Sequence, residues 1–194
     1  MGGVRITGGD FRGRVLRIPK SGDIRPTQDR VREALFSILA PEMPGADFLD
    51  LFAGTGAVGL EALSRGARRA TFVEANRRHL AVLNANIATL GVAARAEVAA
   101  ADAYRWIAGG GAGSGFSIAF ADPPYALGEE RGYASVLAAL AARGVVRPGG
   151  LFVAEMTAVQ KSEETPGWDL LRDRTYGKTR LCIWRRTKDP SVHA

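Results

Sequence analysis

Hydrophobic and polar positions change rhythm twice along this chain. From Val4 to Ile18 apolar residues alternate only weakly, and Gly8, Gly9 and Gly13 interrupt them, which predicts a small hairpin or arm. Val31, Leu35, Ile38 and Leu39 then recur at helical spacing behind Thr27, a residue type suited to an N-cap, until Pro41 and Pro44 stop the helix. Beyond Pro44, short apolar runs alternate with amphipathic stretches. Phe48 to Phe52 reads as a buried strand, Val58 to Leu63 as the start of a helix, and Ala70 to Val73 as the next strand. Leu80, Leu83, Ile87 and Leu90 stripe the following helix, Glu97 to Ala99 is a weaker strand, and Tyr104 to Ile107 a short helical piece. A strand from Phe116 to Ala121, a helix through Val136, Leu137 and Leu140, and a strand Leu151 to Ala154 after the turn Arg147 to Gly150 continue the alternation. Two final strands, Trp168 to Leu171 and Thr179 to Arg186, are joined through Tyr176 and Gly177. Alternating strands and helices closed by a hairpin predict an α/β, doubly wound, mostly parallel sheet with an antiparallel edge. The expected organisation is an N-terminal arm and helix (1–44), a core (45–187) and a short tail (188–194).

Composition narrows the setting without changing this picture. A chain of 194 residues that is 46% apolar and 24% charged can bury one full core. No apolar run approaches a membrane span and the N-terminus lacks a secretory pattern, so a cytoplasmic protein with no membrane partner is expected. The single cysteine, Cys182, excludes an intramolecular disulfide and a cysteine-based zinc site, and neither His79 nor His193 has a partner at metal-ligand spacing. A net charge of +6 favours a polyanionic partner, and its distribution is more telling than its size. Basic residues crowd both ends, from Arg5 to Arg32 and from Arg172 to Lys188.

Two motifs carry chemistry. Gly54-Thr55-Gly56-Ala57-Val58-Gly59 is a G-x-G-x-x-G between a predicted strand and helix, with Glu74 placed to accept ribose hydroxyls. Taken alone, that fits a dinucleotide-dependent oxidoreductase. Asp50 argues otherwise, because a carboxylate beside the loop opposes a pyrophosphate and suits a cationic ligand such as S-adenosylmethionine. The glycines, Gly54 and Gly56 foremost, would let backbone approach the methionine part, and Asp102, followed by Ala103, would accept from the adenine amine. The second motif, Asp122-Pro123-Pro124-Tyr125, follows an apolar strand that the prolines terminate. It offers a carboxylate, a stiff carbonyl and an aromatic face at a strand's carboxyl end, a set suited to an exocyclic amine on a flat heterocycle.

Asp50 to Gly56, Glu74 and Asp122 to Tyr125 together resemble class I S-adenosylmethionine-dependent methyltransferases acting on exocyclic amines. Arg12-Gly13-Arg14, the run Arg25 to Phe36, Gly59 to Ala67 and Tyr176-Gly177 make the chain similar to the bacterial RsmD family over about Val4 to Trp184. The resemblance implies a seven-stranded Rossmann-like methyltransferase sheet and methylation of guanine N2 in 16S ribosomal RNA, with the small ribosomal subunit as partner; a monomer is expected, though no sequence feature establishes it. It implies catalytic roles for Asp122, Pro123 and Tyr125, and RNA contacts by Arg12, Arg14, Arg25, Arg30, Arg32, Lys178 and Arg180. A DNA adenine-N6 methyltransferase, a glutamine-N5 methyltransferase, an idle RNA-binding assembly factor and, more weakly, an NAD oxidoreductase stay open at this level. Cys182, in an apolar strand, and Trp106, Trp168 and Trp184 read as packing residues, and Gly109 to Gly115 as a plain loop.

Overall fold

A computed structural model describes residues 3–19, 29–111, 115–123, 133–160, 162 and 164–188. The chain divides into two compact units, Met1–Ala103 and Tyr104–Ala194. Among the described residues the strands form a two-stranded sheet, β1-β2, and a seven-stranded sheet in the order β5-β4-β3-β6-β7-β9-β8.

In the first unit the predicted arm is an antiparallel pair, β1 (Val4–Arg5) and β2 (Val15–Leu16), with Val4 facing Leu16. Their inward residues Val4, Ile6 and Leu16 are all buried, so the weak alternation in the sequence marks a real apolar face. Helix α1 (Asp29–Leu39) buries Val31, Leu35, Phe36 and Leu39, and with them the charged Arg32. It ends in a single 3-10 turn, Ala40–Glu42, at Pro41, where the ring removes the donor a continuing helix needs. Strands β3 (Asp47–Leu51), β4 (Arg69–Glu74) and β5 (Ala96–Ala100) then pair in parallel, with Leu51 beside Val73 and Glu74 beside Ala100. Parallel neighbours need crossovers, and α2 (Ala57–Ser64) and α3 (Arg77–Leu90) supply them. Asn76 caps α3 by accepting from Arg78 N–H at 2.9 Å, and Gly91, at φ 71°, closes its other end.

In the second unit α4 (Ala103–Ala108, its first residue contributed by the first unit) leads to β6 (Phe116–Ala121), which pairs in parallel with β7 (Val146–Thr157). Helix α5 (Tyr133–Ala142) connects them and buries Val136, Leu137 and Leu140, the predicted stripe. Strand β7 is longer than the sequence suggested, because Arg147 to Gly150 form an irregularity inside it and not a turn before it. Phe116 faces Val146 but Ile118 already faces Leu151. Gly149 sits at φ 76°, and a Cβ on Gly150 would lie 2.8 Å from Val146 and 2.9 Å from the Arg147 carbonyl, so glycine lets the extra residues fold out of register. Strands β8 (Trp168–Tyr176) and β9 (Thr179–Arg186) form the expected antiparallel hairpin. Trp184 and Trp168 pack on Phe152 with ring centroids 5.8 and 6.3 Å from it, and Cys182 is fully buried, so these residues are core as expected.

The doubly wound architecture therefore stands; in the first unit the carboxyl ends of β3, β4 and β5 carry Asp50, Gly54, Gly56, Glu74, Asp102 and Ala103, and in the second the carboxyl end of β6 carries Asp122 and Pro123. Arg25 and Tyr125 lie outside the described residues, as do Thr27, Pro124, part of the Gly109 to Gly115 run and the tail from 189 onward.

Candidate active site

The first unit builds a cradle around the glycine loop. Strand β3 is followed by Phe52, whose φ of 61° is a left-handed conformation rare for a bulky residue, and Gly54 and Gly56 follow at 56° and 84°. The three residues turn the chain out of the sheet and into α2. What holds this turn is a set of inward hydrogen bonds. Gly54 N–H donates to Glu74 Oε2 at 2.7 Å, Gly56 N–H to the Ala53 carbonyl at 2.8 Å, and Gly59 N–H to Asp50 Oδ2 at 2.8 Å. The Thr55 carbonyl accepts from Asn86 Nδ2 at 3.0 Å.

The three glycines do different work. A Cβ on Gly59 would lie 2.3 Å from Cε1 of the buried Phe72 ring, and one on Gly56 would lie 2.4 Å from Leu83 Cδ1. Those two are required by the packing of α2 and α3 on β4. Around Gly54 a Cβ would meet nothing within 4 Å, so packing does not demand glycine there and only its left-handed φ of 56° does. Gly56 thus owes its identity to left-handed backbone and to Leu83.

Asp50 is buried, and burial pushes its carboxyl up to about 7; the Gly59 N–H opposes the shift and the Glu74 carboxylate adds to it. Glu74, 9% exposed, spans two segments, since its second oxygen accepts from Asn76 N–H at 2.7 Å. His79 Nδ1 lies 3.7 Å from that same oxygen. One carboxylate thereby fixes both the start of the glycine loop and the entry to α3, and keeps lone pairs for a further donor. Asp102 is half-buried at the exit of β5, directly before α4, and Ala103 is buried beside it. The Ala101 N–H donates to the Glu74 carbonyl at 3.1 Å, tying this exit to the end of β4. Asp50, Gly54, Gly56, Glu74, Asp102 and Ala103 therefore all lie at carboxyl ends of adjacent parallel strands.

In the second unit Asp122 and Pro123 directly follow β6, Asp122 half-buried and Pro123 buried. Tyr133, at the start of α5, donates its hydroxyl to the Glu155 carbonyl at 2.8 Å and packs near Phe152. Burial, and then the negative charge of Asp122, push its phenol up, which places Tyr133 within electrostatic reach of Asp122.

The basic residues separate into two groups. Arg12, Arg14, Arg30 and Lys178 are exposed; Arg14 also donates to the Thr89 carbonyl at 3.2 Å. Arg32 is not a surface cation, which corrects the expectation that it contacts RNA. It is 0% exposed, and its Nε donates to Glu61 Oε2 at 2.6 Å while Nη2 reaches Asp29 at 2.9 Å and the Arg5 carbonyl. Glu61, also fully buried, accepts in addition from Thr7 and from Arg65 Nη2 at 2.8 Å. The cluster joins the arm, α1 and α2, a structural task that its burial imposes. Arg180 is half-buried and its fork engages Asp173, with Nε to Oδ1 at 2.6 Å, which draws that carboxyl below its usual range and leaves the guanidinium little freedom for a phosphate.

A family model described as Conserved hypothetical protein 95 matches residues 4–185. The Escherichia coli (strain K12) protein named Ribosomal RNA small subunit methyltransferase D is 39% identical over 188 residues, covering 95% of this chain and 91% of its own length. The Haemophilus influenzae protein of the same name is 36% identical, with 91% and 90% covered. The solved structure of yhhF from Escherichia coli superposes with a TM-score of 0.86 at 35% identity, covering 97% of this chain and all of that one. A match of this extent, over a sheet of the same kind, has one conclusion: the chain belongs to the Conserved hypothetical protein 95 family, together with the small-subunit ribosomal RNA methyltransferase D proteins.

Proposed function

We propose that this protein transfers a methyl group from S-adenosylmethionine to the exocyclic N2 of one guanine in small-subunit ribosomal RNA. The observation that carries the choice of donor is the direction of the loop's N–H groups. Gly54, Gly56 and Gly59 all donate inward, two of them to carboxylates. A dinucleotide fold needs such donors aimed at a pyrophosphate. A loop whose donors are spent on acids, with Asp50 and Glu74 beneath and beside it, favours a ligand bearing positive charge and hydroxyl donors. The open space at Gly54 is where such a ligand would come closest to backbone.

In this reading Glu74 accepts the ribose hydroxyls, Asp102 accepts from the adenine amine, and Asp50 braces the loop from below. The sulfonium supplies an already activated methyl group. Guanine N2 is a poor nucleophile because its lone pair is delocalised into the ring. The Asp122 carboxylate and the Pro123 carbonyl would accept from its two N–H bonds, hold it in place and let it pyramidalise toward the methyl group. Orientation of this kind is worth roughly 7–11 kcal/mol of a barrier. Asp122 or water then takes the released proton. Tyr125 supplies a face for a base presented from a loop or flipped from its stack. The arm and helix of residues 1–44 would meet RNA through Arg12, Arg14, Arg25 and Arg30, with Lys178 of the C-terminal hairpin adding a further cation.

The test is methyl transfer from labelled S-adenosylmethionine to small ribosomal subunits lacking the modification, followed by nucleoside analysis. N2-methylguanosine in the 16S RNA is expected, and a different modified nucleoside would refute the assigned amine. Asp122→Ala should abolish transfer while leaving S-adenosylhomocysteine affinity nearly intact; equal loss of both would overturn the role given to Asp122.

A further inference from the structure

One buried side chain of the first unit touches both the glycine loop and the basic arm. Asn86 lies on α3 and is 1% exposed. Its Nδ2 donates to the Thr55 carbonyl at 3.0 Å and to the Arg17 carbonyl at 3.2 Å, and its Oδ1 accepts from Arg17 N–H at 2.8 Å. Both amide hydrogens and one oxygen lone pair are thereby used, and the orientation of the amide is set by its partners. Arg17, which follows β2, has its backbone gripped on both sides by one amide, much as a neighbouring strand would grip it. Its side chain stays exposed, as do those of Arg12 and Arg14 on the same arm. Thr55 is the residue between Gly54, where a Cβ would meet nothing within 4 Å, and Gly56. The arm is anchored elsewhere too, through Asp10 N–H and Phe11 N–H to Ser64 at 2.8 and 2.9 Å. Those anchors reach the far end of α2, whereas Asn86 reaches the loop itself.

We propose that Asn86 is a positioning residue that couples the RNA-facing arm to the cofactor loop, so that RNA and S-adenosylmethionine each bind more tightly when the other is present. The proposal rests on the function assigned above for the identity of the two ligands. The physical reasoning is that ordering the arm fixes Arg17, ordering the loop fixes Thr55, and both are held by one amide. A ligand that rigidifies either side reduces the ordering cost the second ligand must meet. Linkage then makes the effect reciprocal, and couplings of this type span about 5–150-fold. The loop thus senses occupancy of the arm through Asn86.

The test is titration of S-adenosylhomocysteine into the full-length protein, alone and with unmodified small ribosomal subunits present. The readout is the ratio of the two affinities. The unaltered protein should show a ratio of about 5 or more, and Asn86→Ala should bring it near 1. Arg17→Pro removes the N–H that Asn86 accepts and leaves the Thr55 bond in place, so it too should abolish the ratio and decides the matter if Asn86→Ala does not fold. Arg17→Ala keeps the backbone bonds; it should weaken subunit binding yet preserve the ratio. An unchanged ratio in folded Asn86→Ala, or in Arg17→Pro, overturns the coupling role, as would a ratio of 1 in the unaltered protein that still methylates RNA. Failure of the unaltered protein to bind S-adenosylhomocysteine at all would instead bring down the proposed function, and the coupling with it.

Discussion

Replacing Arg32 by methionine removes a guanidinium that donates to Glu61, Asp29 and the Arg5 carbonyl from a fully buried position. The consequence depends on what becomes of Glu61. Its carboxylate is also fully buried and would keep Thr7 and Arg65, whose side chain is 24% exposed. Breaking a buried pair from one side costs about 3–5 kcal/mol because the surviving charge is stranded. The remaining arginine places this case at the lower end, near ~3 kcal/mol. For a chain of this size each kcal/mol shifts the melting temperature by about 2–4 °C, so a fall of roughly 6–12 °C is expected. Replacing both partners, Arg32→Met with Glu61→Leu, removes the fully buried pair but leaves Arg65, 24% exposed, with Thr7 alone, so it should recover only part of the loss. Urea or thermal unfolding of the two single variants and the double variant measures the coupling directly. RNA affinity supplies the opposing test. If Arg32→Met changes stability by less than about 1 kcal/mol and instead lowers the salt dependence of RNA binding by one phosphate contact, the buried-strut account is wrong and the original expectation of an RNA contact returns.

Asp50 makes stability depend on pH. Its folded carboxyl holds its proton up to about 7, against the ordinary carboxyl value of 3.8, so between roughly pH 4 and 7 unfolding releases a proton. Stability should therefore fall as pH rises through that window, by up to about 4 kcal/mol, and level off above it; Asp50→Asn should flatten the profile, read by denaturant unfolding at several pH values. Gly54→Ala should fold, with about 1–3 kcal/mol of backbone strain at φ 56°, and bind S-adenosylhomocysteine weakly, because its Cβ enters the open side of the loop. Gly59→Ala should instead destabilise by about 1–3 kcal/mol, through overlap with Phe72, and lose affinity only as it unfolds. Glu74→Ala strands the N–H groups of Gly54 and Asn76 and should lower both melting temperature and cofactor affinity, whereas Glu74→Gln keeps an acceptor for only one of them, sets its NH2 against the other donor, and should recover only part of the stability. Calorimetric titration beside thermal melts separates these cases.

Much of the fold was legible because its signals are local. The stripe of Val31, Leu35 and Leu39, the buried runs of β3, β4 and β6, and the Tyr176-Gly177 hairpin each report a period or a turn that neighbouring residues set on their own. The placement of Asp50, Gly54, Glu74, Asp102 and Asp122 at strand ends was legible for a similar reason, since each follows directly from a short apolar run or its turn. The misreadings came from distance along the chain. Arg147 to Gly150 read as a turn, and only pairing with β6 shows them to be an irregularity within β7. Arg32 lay in a basic stretch and read as a surface cation, because nothing nearby announces Glu61, 29 residues away. Asn86 carried one faint local signal, a polar residue set among Leu83, Ile87 and Leu90 on the buried face of α3.

By itself, then, the sequence determined the alternation of strands and helices, the glycine loop, the acidic strand ends and the family, since these follow from spacing and residue type alone. The tertiary structure decided which polar groups lose water and to whom they turn. It made Gly56 and Gly59 packing residues and left Gly54 open, sent the loop's N–H groups to Asp50 and Glu74, and withdrew Arg32 from the surface. A buried donor or charge must find a partner wherever the fold brings one within about 3 Å, and that distance is set by packing across the chain, not by order along it.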